Sequence, residues 1–173
     1  SVTSIGSSAF RACDSLTSVT IGDSIKSIED YAFYGCYKLV EVINKSSLNI
    51  TKGSSSYGYV AYYTFEVHDG DSKIVNNDGY LLYTYNGVNY LLGYVGSEIE
   101  LVLPESYNGQ DYKINKYAFY KCSRLTSVTI GDSITSIGDY AFNCCRNLTS
   151  VTIGDSVTSI GDSAFNYCGS LTS

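Results

Sequence analysis

The sequence contains no methionine and a single histidine, and it is poor in charge. Asp, Glu, Lys and Arg together make up 16 % of its 173 residues, and the formal net charge is −6. That balance argues against nucleic acid as a partner, because nucleic-acid binders present a basic patch. Basic residues thicken between Lys113 and Arg124, but Asp111 stands beside them. Low charge is not disorder here: hydrophobic residues reach 44 %, and the length allows one domain with a sizeable core. No apolar run approaches the ~20 residues of a membrane span, and no basic-then-apolar start marks a signal peptide. The missing methionine, with Ser1 opening in the middle of a repeat, reads as a piece of a longer protein whose targeting signals lie elsewhere. A Ser or Cys nucleophile needs a base and an orienting group. The lone His68 has no Gly-x-Ser-x-Gly elbow near it and reads as a surface-loop residue, so an enzyme is the least favoured class.

What is abundant is repetition. Phe10 and Phe33 stand 23 residues apart, and Phe119, Phe142 and Phe165 keep the same step. Cys13, Cys36, Cys122, Cys145 and Cys168 follow it, as do Leu16, Leu39, Leu125, Leu148 and Leu171. Each unit runs Leu-x-x-Val-x-Ile, Gly-Asp-Ser, Ile-x-x-Ile, Ala-Phe-x-x-Cys. Val128 and Ile130 alternate with Thr129, a strand signal rich in β-branched residues. Gly-Asp-Ser is a turn, Ile-Thr-Ser-Ile a second short extended piece, and Asp-Tyr-Ala-Phe one helical or 3-10 turn. One such coil cannot bury its apolar side alone, so coils must stack, with equivalent residues about 4.8 Å apart. The expected fold is a mainly β repeat solenoid with short helical or 3-10 turns.

The stretch "LTSVTIGDSVTSIGDSAFNYC" (148–168) resembles the BspA-like leucine-rich repeats, the Treponema type of 23 residues. The resemblance covers 1–43 and 112–173 strongly and the middle loosely. It implies a right-handed stack of coils in a secreted or cell-surface bacterial protein. It also implies adhesion to a protein or glycan on host or neighbouring cells, with no catalysis and no cofactor.

The separation of Phe33 and Phe119 is 86, not a multiple of 23, so residues 44–111 hold a diverged repeat and an insertion within one continuous solenoid, 1–173. Thirteen of the 18 tyrosines lie between Tyr57 and Tyr120. Asn77-Asp78-Gly79 and Asn86-Gly87 are hairpin turns. A two-residue turn at Asn86-Gly87 pairs Tyr85 with Val88, Tyr83 with Tyr90 and Leu81 with Leu92, a packed face; Leu82, Thr84, Asn89 and Leu91 form a mixed, half-exposed one. Leu48 and Ile50 should point inward, followed by a short helix around Tyr59–Phe65. Beyond the hairpin, Leu101 and Leu103 take the places of Val128 and Ile130, Ile114 that of Ile137, and 106–111 bulges as a loop.

Several constellations invite chemistry. A ladder of cysteines 23 residues apart lacks the short spacing of zinc ligands, and reduced packing thiols are favoured over disulfides or metal. Cys144 lies outside the ladder, at a variable position, and is the thiol expected to meet solvent. "DGD" (69–71) and "NNDG" (76–79) lack the spacing of a calcium loop, so neither metal nor cofactor is expected. Asp132 and Asp155 should hydrogen-bond their own turns. The outward residues Thr126, Ser127 and Thr129 are small and hydroxylated, whereas interaction hot spots favour Tyr, Trp and Arg. Partner-binding candidates are therefore the insertion tyrosines Tyr57, Tyr59, Tyr107 and Tyr112, while Tyr83, Tyr85 and Tyr90 read as core. A binder predicts a patch of exposed aromatics and a spacer predicts bland faces. The unfinished coils at Val2 and at Leu171–Ser173 also predict flanking repeats and end-to-end self-association.

Overall fold

A computed structural model describes residues 1–173, which divide into two compact units, Ser1–Ser72 and Lys73–Ser173. The boundary falls inside the diverged stretch, so the unit-length repeats at either end each carry part of it.

In the first unit, β1 (Ser4–Ile5) pairs in parallel with β3 (Ser27–Ile28), and β2 (Ser18–Ile21) lies beside β4 (Glu41–Asn44) and β5 (Glu66–His68). Val19, Val42 and Val67 share one register row, so the period-two pattern of each coil points its branched residues at the same core. That core holds Ile21, Ile28, Phe33, Cys36 and Leu39, with Ile50 buried and Leu48 packed against it as the sequence suggested. The Phe10 and Phe33 rings stack at 5.0 Å.

The second unit begins with two hairpins, β6 (Val75–Asn77) to β7 (Tyr80–Tyr85) and β7 to β8 (Val88–Tyr94). The remaining strands are β9 (Glu100–Val102), β10 (Tyr112–Ile114), β11 (Ser127–Ile130), β12 (Ile134–Ile137), β13 (Ser150–Ile153) and β14 (Ser159–Ile160). First strands of successive coils form the parallel sheet β13-β11-β9, with Leu101 opposite Val128 as expected. Second strands form β14-β12-β10-β8-β7-β6, parallel as far as β8 and antiparallel through the hairpins. Strand β8 is thus both a hairpin arm and a solenoid rung, with Leu91 opposite Ile114.

This dual role corrects two expectations about the hairpin. Leu82 and Leu91 are fully buried in the solenoid core and Asn89 is buried beside them, leaving Thr84 as the exposed member, so the face expected to be half-exposed is mostly core. Asn86 and Gly87 both take positive φ (50° and 76°), as the favoured hairpin turn requires, and Tyr85 meets Val88 and Tyr83 meets Tyr90. A bulge then shifts the register, so Leu81 faces Gly93 and not Leu92. Tyr83 is buried, while Tyr85 and Tyr90 are half-buried.

The Ala-Phe segments are not helical. In the coil around Phe142, Tyr140, Phe142 and Cys144 send their amides to Asp162, Ala164 and Asn166 of the next coil, while Ala141, Asn143 and Cys145 turn back to Gly138, Tyr140 and Phe142. Half the amides are therefore spent between coils. The alternation is made possible by left-handed residues, Tyr140 at φ 56° and Cys144 at φ 62°. The one 3-10 element, Tyr57–Tyr59, replaces the short helix expected around Tyr59–Phe65, and Tyr57, Gly58 and Tyr59 all have positive φ.

Candidate interaction surface

The left-handed positions decide where the tyrosines go. Tyr31, Tyr117 and Tyr140 occupy equivalent places in three coils, at φ 58°, 61° and 56°, where the other coils carry Ser8 and Ser163. A bulky residue there carries backbone strain of order 1 kcal/mol. Ring contacts between coils offset part of it: Tyr117 and Tyr140 stack at 5.1 Å and 5°, and Tyr31 stacks on Tyr59 at 5.7 Å and 18°.

In the first unit these contacts extend into a continuous row of rings. Tyr34 meets Tyr59 edge-on at 5.2 Å, Tyr59 meets Tyr62 at 5.3 Å, Tyr62 meets Tyr63 at 4.9 Å, and Tyr63 meets Tyr37 at 5.1 Å. The Arg11 guanidinium lies over the Tyr34 ring, 5.6 Å from its centre. Tyr31 and Tyr62 are 50 % and 46 % exposed, so the row presents ring surface to solvent.

Of the four tyrosines proposed from sequence, only Tyr59 belongs to the row. Tyr57 packs against the core of the first unit, and Tyr107 against the core of the second. Tyr112 is a correction: it is 1 % exposed and its hydroxyl donates to the Pro104 carbonyl at 2.7 Å. A bulge between Tyr112 and Lys113 places it opposite Ile134 in the core ladder, and burial raises its phenol pKa. Tyr31, Tyr34, Tyr37, Tyr62 and Tyr63 were missed. The recurrence of Tyr-Ala-Phe at 31–33, 117–119 and 140–142 was the available signal for Tyr31.

The thiols take structural places. All six are outside disulfides, with Cys36 and Cys145 buried. Cys36 donates to Phe10 O at 3.0 Å, Cys145 to Phe119 O and Cys168 to Phe142 O, both at 3.1 Å. Cys144 is half-buried, but so are Cys13, Cys122 and Cys168, so its expected distinction by exposure is lost. Its position requires left-handed backbone, which is a constraint the variable sequence conceals. Asp132 likewise does not serve its own turn: its Oδ1 accepts the Asp155 amide of the next coil at 3.0 Å, and Asp139 does the same for Asp162 at 2.9 Å.

His68 is not in a loop. It sits on β5, and its Nε2 lies 3.1 Å from Oε1 of Glu41, which is wholly buried. Ser72 Oγ donates to the other Glu41 oxygen at 2.7 Å, and the Gly70 amide donates to His68 Nδ1 at 3.1 Å. The accepting Nδ1 assigns the proton to Nε2, which then donates to Glu41. Because Ser72 is bonded to the carboxylate and not to the imidazole, the trio lacks the nucleophile–base contact of a hydrolase.

The BspA-type leucine-rich repeat region model matches the chain in six copies, over residues 1–75 and 100–173. The chain belongs to this family. Three solved leucine-rich repeat structures are similar. One, from T. pallidum, is 27 % identical over 56 % of this chain and 47 % of its own, with a TM-score of 0.52. A leucine-rich repeat protein from Bacteroides capillosus is 28 % identical over 58 % of this chain and 80 % of its own, at 0.52. A leucine-rich cell surface protein from Faecalibacterium prausnitzii is 23 % identical over 95 % of this chain and 48 % of its own, at 0.57, a likeness of fold. The chain spans about half the length of the first and third. No curated protein matches it. As a BspA-type repeat chain it keeps the coil pattern, and the tyrosine row is added where that pattern leaves a left-handed position open.

Proposed function

We propose that this chain is a non-enzymatic binding module of a secreted or cell-surface bacterial repeat protein, and that it engages a protein or glycan on host or neighbouring cells. The observation that carries this reading is the tyrosine row: Tyr31 and Tyr62 stand exposed within it, both in contact with Tyr59, with Arg11 on Tyr34. Tyr and Arg dominate interaction hot spots because they offer large, stiff, amphipathic area at small entropic cost. The interlocked rings are ordered before any partner arrives, which lowers the cost of binding.

A spacer that holds another domain away from the cell is the second reading. It is favoured by the small hydroxylated outer strand residues Thr126, Ser127, Thr129, Thr149, Ser150 and Thr152. Capture from host matrix and serum proteins, and a glycan array, separate the two. The double variant Tyr31→Ser/Tyr62→Ser should keep its fold, since serine stands at the Tyr31 position in two other coils. It should weaken capture at least fivefold. Equal capture by the variant, or none by either protein, would favour the spacer.

A further inference from the structure

A concavity in the Lys73–Ser173 unit has the makings of a small-molecule site. It opens where the loop after β8 crosses the first full rung of the coil stack. Its volume is about 220 Å³, and Leu101, Phe119 and Leu125 form hydrocarbon walls. Lys121 and Arg124 also line it, together with one carboxylate, Glu98. Two cations against one anion leave a positive lining in a chain of net charge −6.

The site is held in shape by its own contacts. Tyr94 is wedged between two glycines: a methyl at Gly79 would sit 2.7 Å from its ring, and one at Gly96 would overlap the phenol itself. Its hydroxyl donates to Glu98 Oε2 at 2.7 Å, and Ser97 Oγ donates to the same oxygen at 3.2 Å. Those bonds hold the Glu98 carboxyl below the usual range, so it stays charged and occupied. Arg124 Nη2 donates to Ser97 O at 3.0 Å, tying the loop to the stack while its remaining N–H groups stay available.

Size narrows the ligand. An apolar cavity of about 150 Å³ takes up benzene, and ligand pockets generally pair apolar walls with a few placed polar groups. The volume here exceeds that benzene cavity by roughly 70 Å³, room for a short acidic arm beside one ring. We infer that this pocket binds a small organic monoanion with an apolar body of about one ring, an arylalkyl carboxylate, with the ring among Leu101, Phe119 and Leu125 and the carboxylate against Lys121 and Arg124. The pocket lies wholly within the second unit and does not depend on the tyrosine row.

Cys122 also lines the pocket and is half-buried, which supplies a local reporter. Phenylacetate, benzyl alcohol and benzylamine serve as probes against the whole chain, with alkylation by iodoacetamide followed at each cysteine by mass spectrometry. Phenylacetate should slow labelling of Cys122 saturably, with a dissociation constant of about 1 mM. Cys13, in the other unit, should be unaffected. Benzyl alcohol and benzylamine should bind at least tenfold more weakly. Arg124→Ala and Lys121→Asn should each reduce protection at least fivefold; asparagine tolerates the left-handed φ of 58° at that position. No protection by phenylacetate, equal protection by the uncharged probe, or undiminished protection in Arg124→Ala and in Lys121→Asn would overturn the assignment.

Discussion

The Cys145 thiol donates to the carbonyl oxygen of Phe119, 3.1 Å away and one coil back. The same oxygen accepts the Cys122 amide of its own coil at 3.0 Å, so one carbonyl links two rungs. Cys36 and Cys168 repeat the bond to Phe10 and Phe142. The ladder thus needs a side chain that is small, apolar and able to donate, and cysteine is all three. Cys145→Ala should destabilise the protein by about 1–2 kcal/mol through the lost bond and a small void. Cys144→Ala should lie within about 0.5 kcal/mol of wild type, since Ala12 already occupies that position with φ 55°. Urea midpoints measure both.

Burial pushes the Cys36 thiol up to about 11 from an ordinary 9.0. The folded state therefore holds this proton more tightly than the unfolded chain does. Stability from this site is complete below about pH 9 and is lost as pH rises towards 11. The stability gap between wild type and Cys36→Ala should shrink over that window, and urea titrations at a series of pH values check it. At pH 8, alkylating reagents should modify Cys13, Cys122, Cys144 and Cys168 while sparing Cys36 and Cys145.

Glycine in the Gly-Asp turn is required by the coil before it. A methyl at Gly154 would lie 2.5 Å from Asp132 Oδ1 and 2.8 Å from the Gly131 carbonyl carbon, both held by bonds within the stack. At Gly131 nothing lies within 4 Å. Gly154→Ala should lower stability by about 2 kcal/mol or more, whereas Gly131→Ala should be neutral or slightly stabilising. Thermal melts of the two variants, side by side, test the asymmetry.

The buried Glu41 carboxylate relies on His68 and Ser72 as donors. Removing one partner of a buried charge leaves the other under-solvated, so His68→Ala should cost about 3 kcal/mol. Glu41→Gln should be milder, because the amide oxygen can still accept from His68 while its NH2 group donates to the Ser72 hydroxyl oxygen. Double-mutant denaturation with Glu41→Gln and His68→Ala should show coupling, and strict additivity would show that the pair is energetically idle.

Much of the architecture was legible in one dimension because the repeat is its own alignment. The step from Phe119 to Phe142 to Phe165 foretells rings stacked at 4.8 and 5.1 Å, and the match of Leu101 to Val128 foretells a register row. Less could be read where the period breaks. Tyr112 lies two residues before Ile114 and shares its inward face, and the register shift before Lys113 sets it against Ile134; the bulge after Leu81 breaks a simple hairpin count. A one-residue slip inverts every face, and nothing in the local residue types announces it.

By itself the sequence determined the solenoid, its coil boundaries, its core ladders and the hairpin turns, since these follow from period and propensity within some two dozen residues. Only the tertiary structure decided that the Ala-Phe turns are left-handed alternations, that Glu41 is buried under His68, and that Tyr31, Tyr34, Tyr59 and Tyr62 form one surface. These features depend on which residues of neighbouring coils come within hydrogen-bond or ring-contact distance, and that is a property of stacking and not of any single repeat.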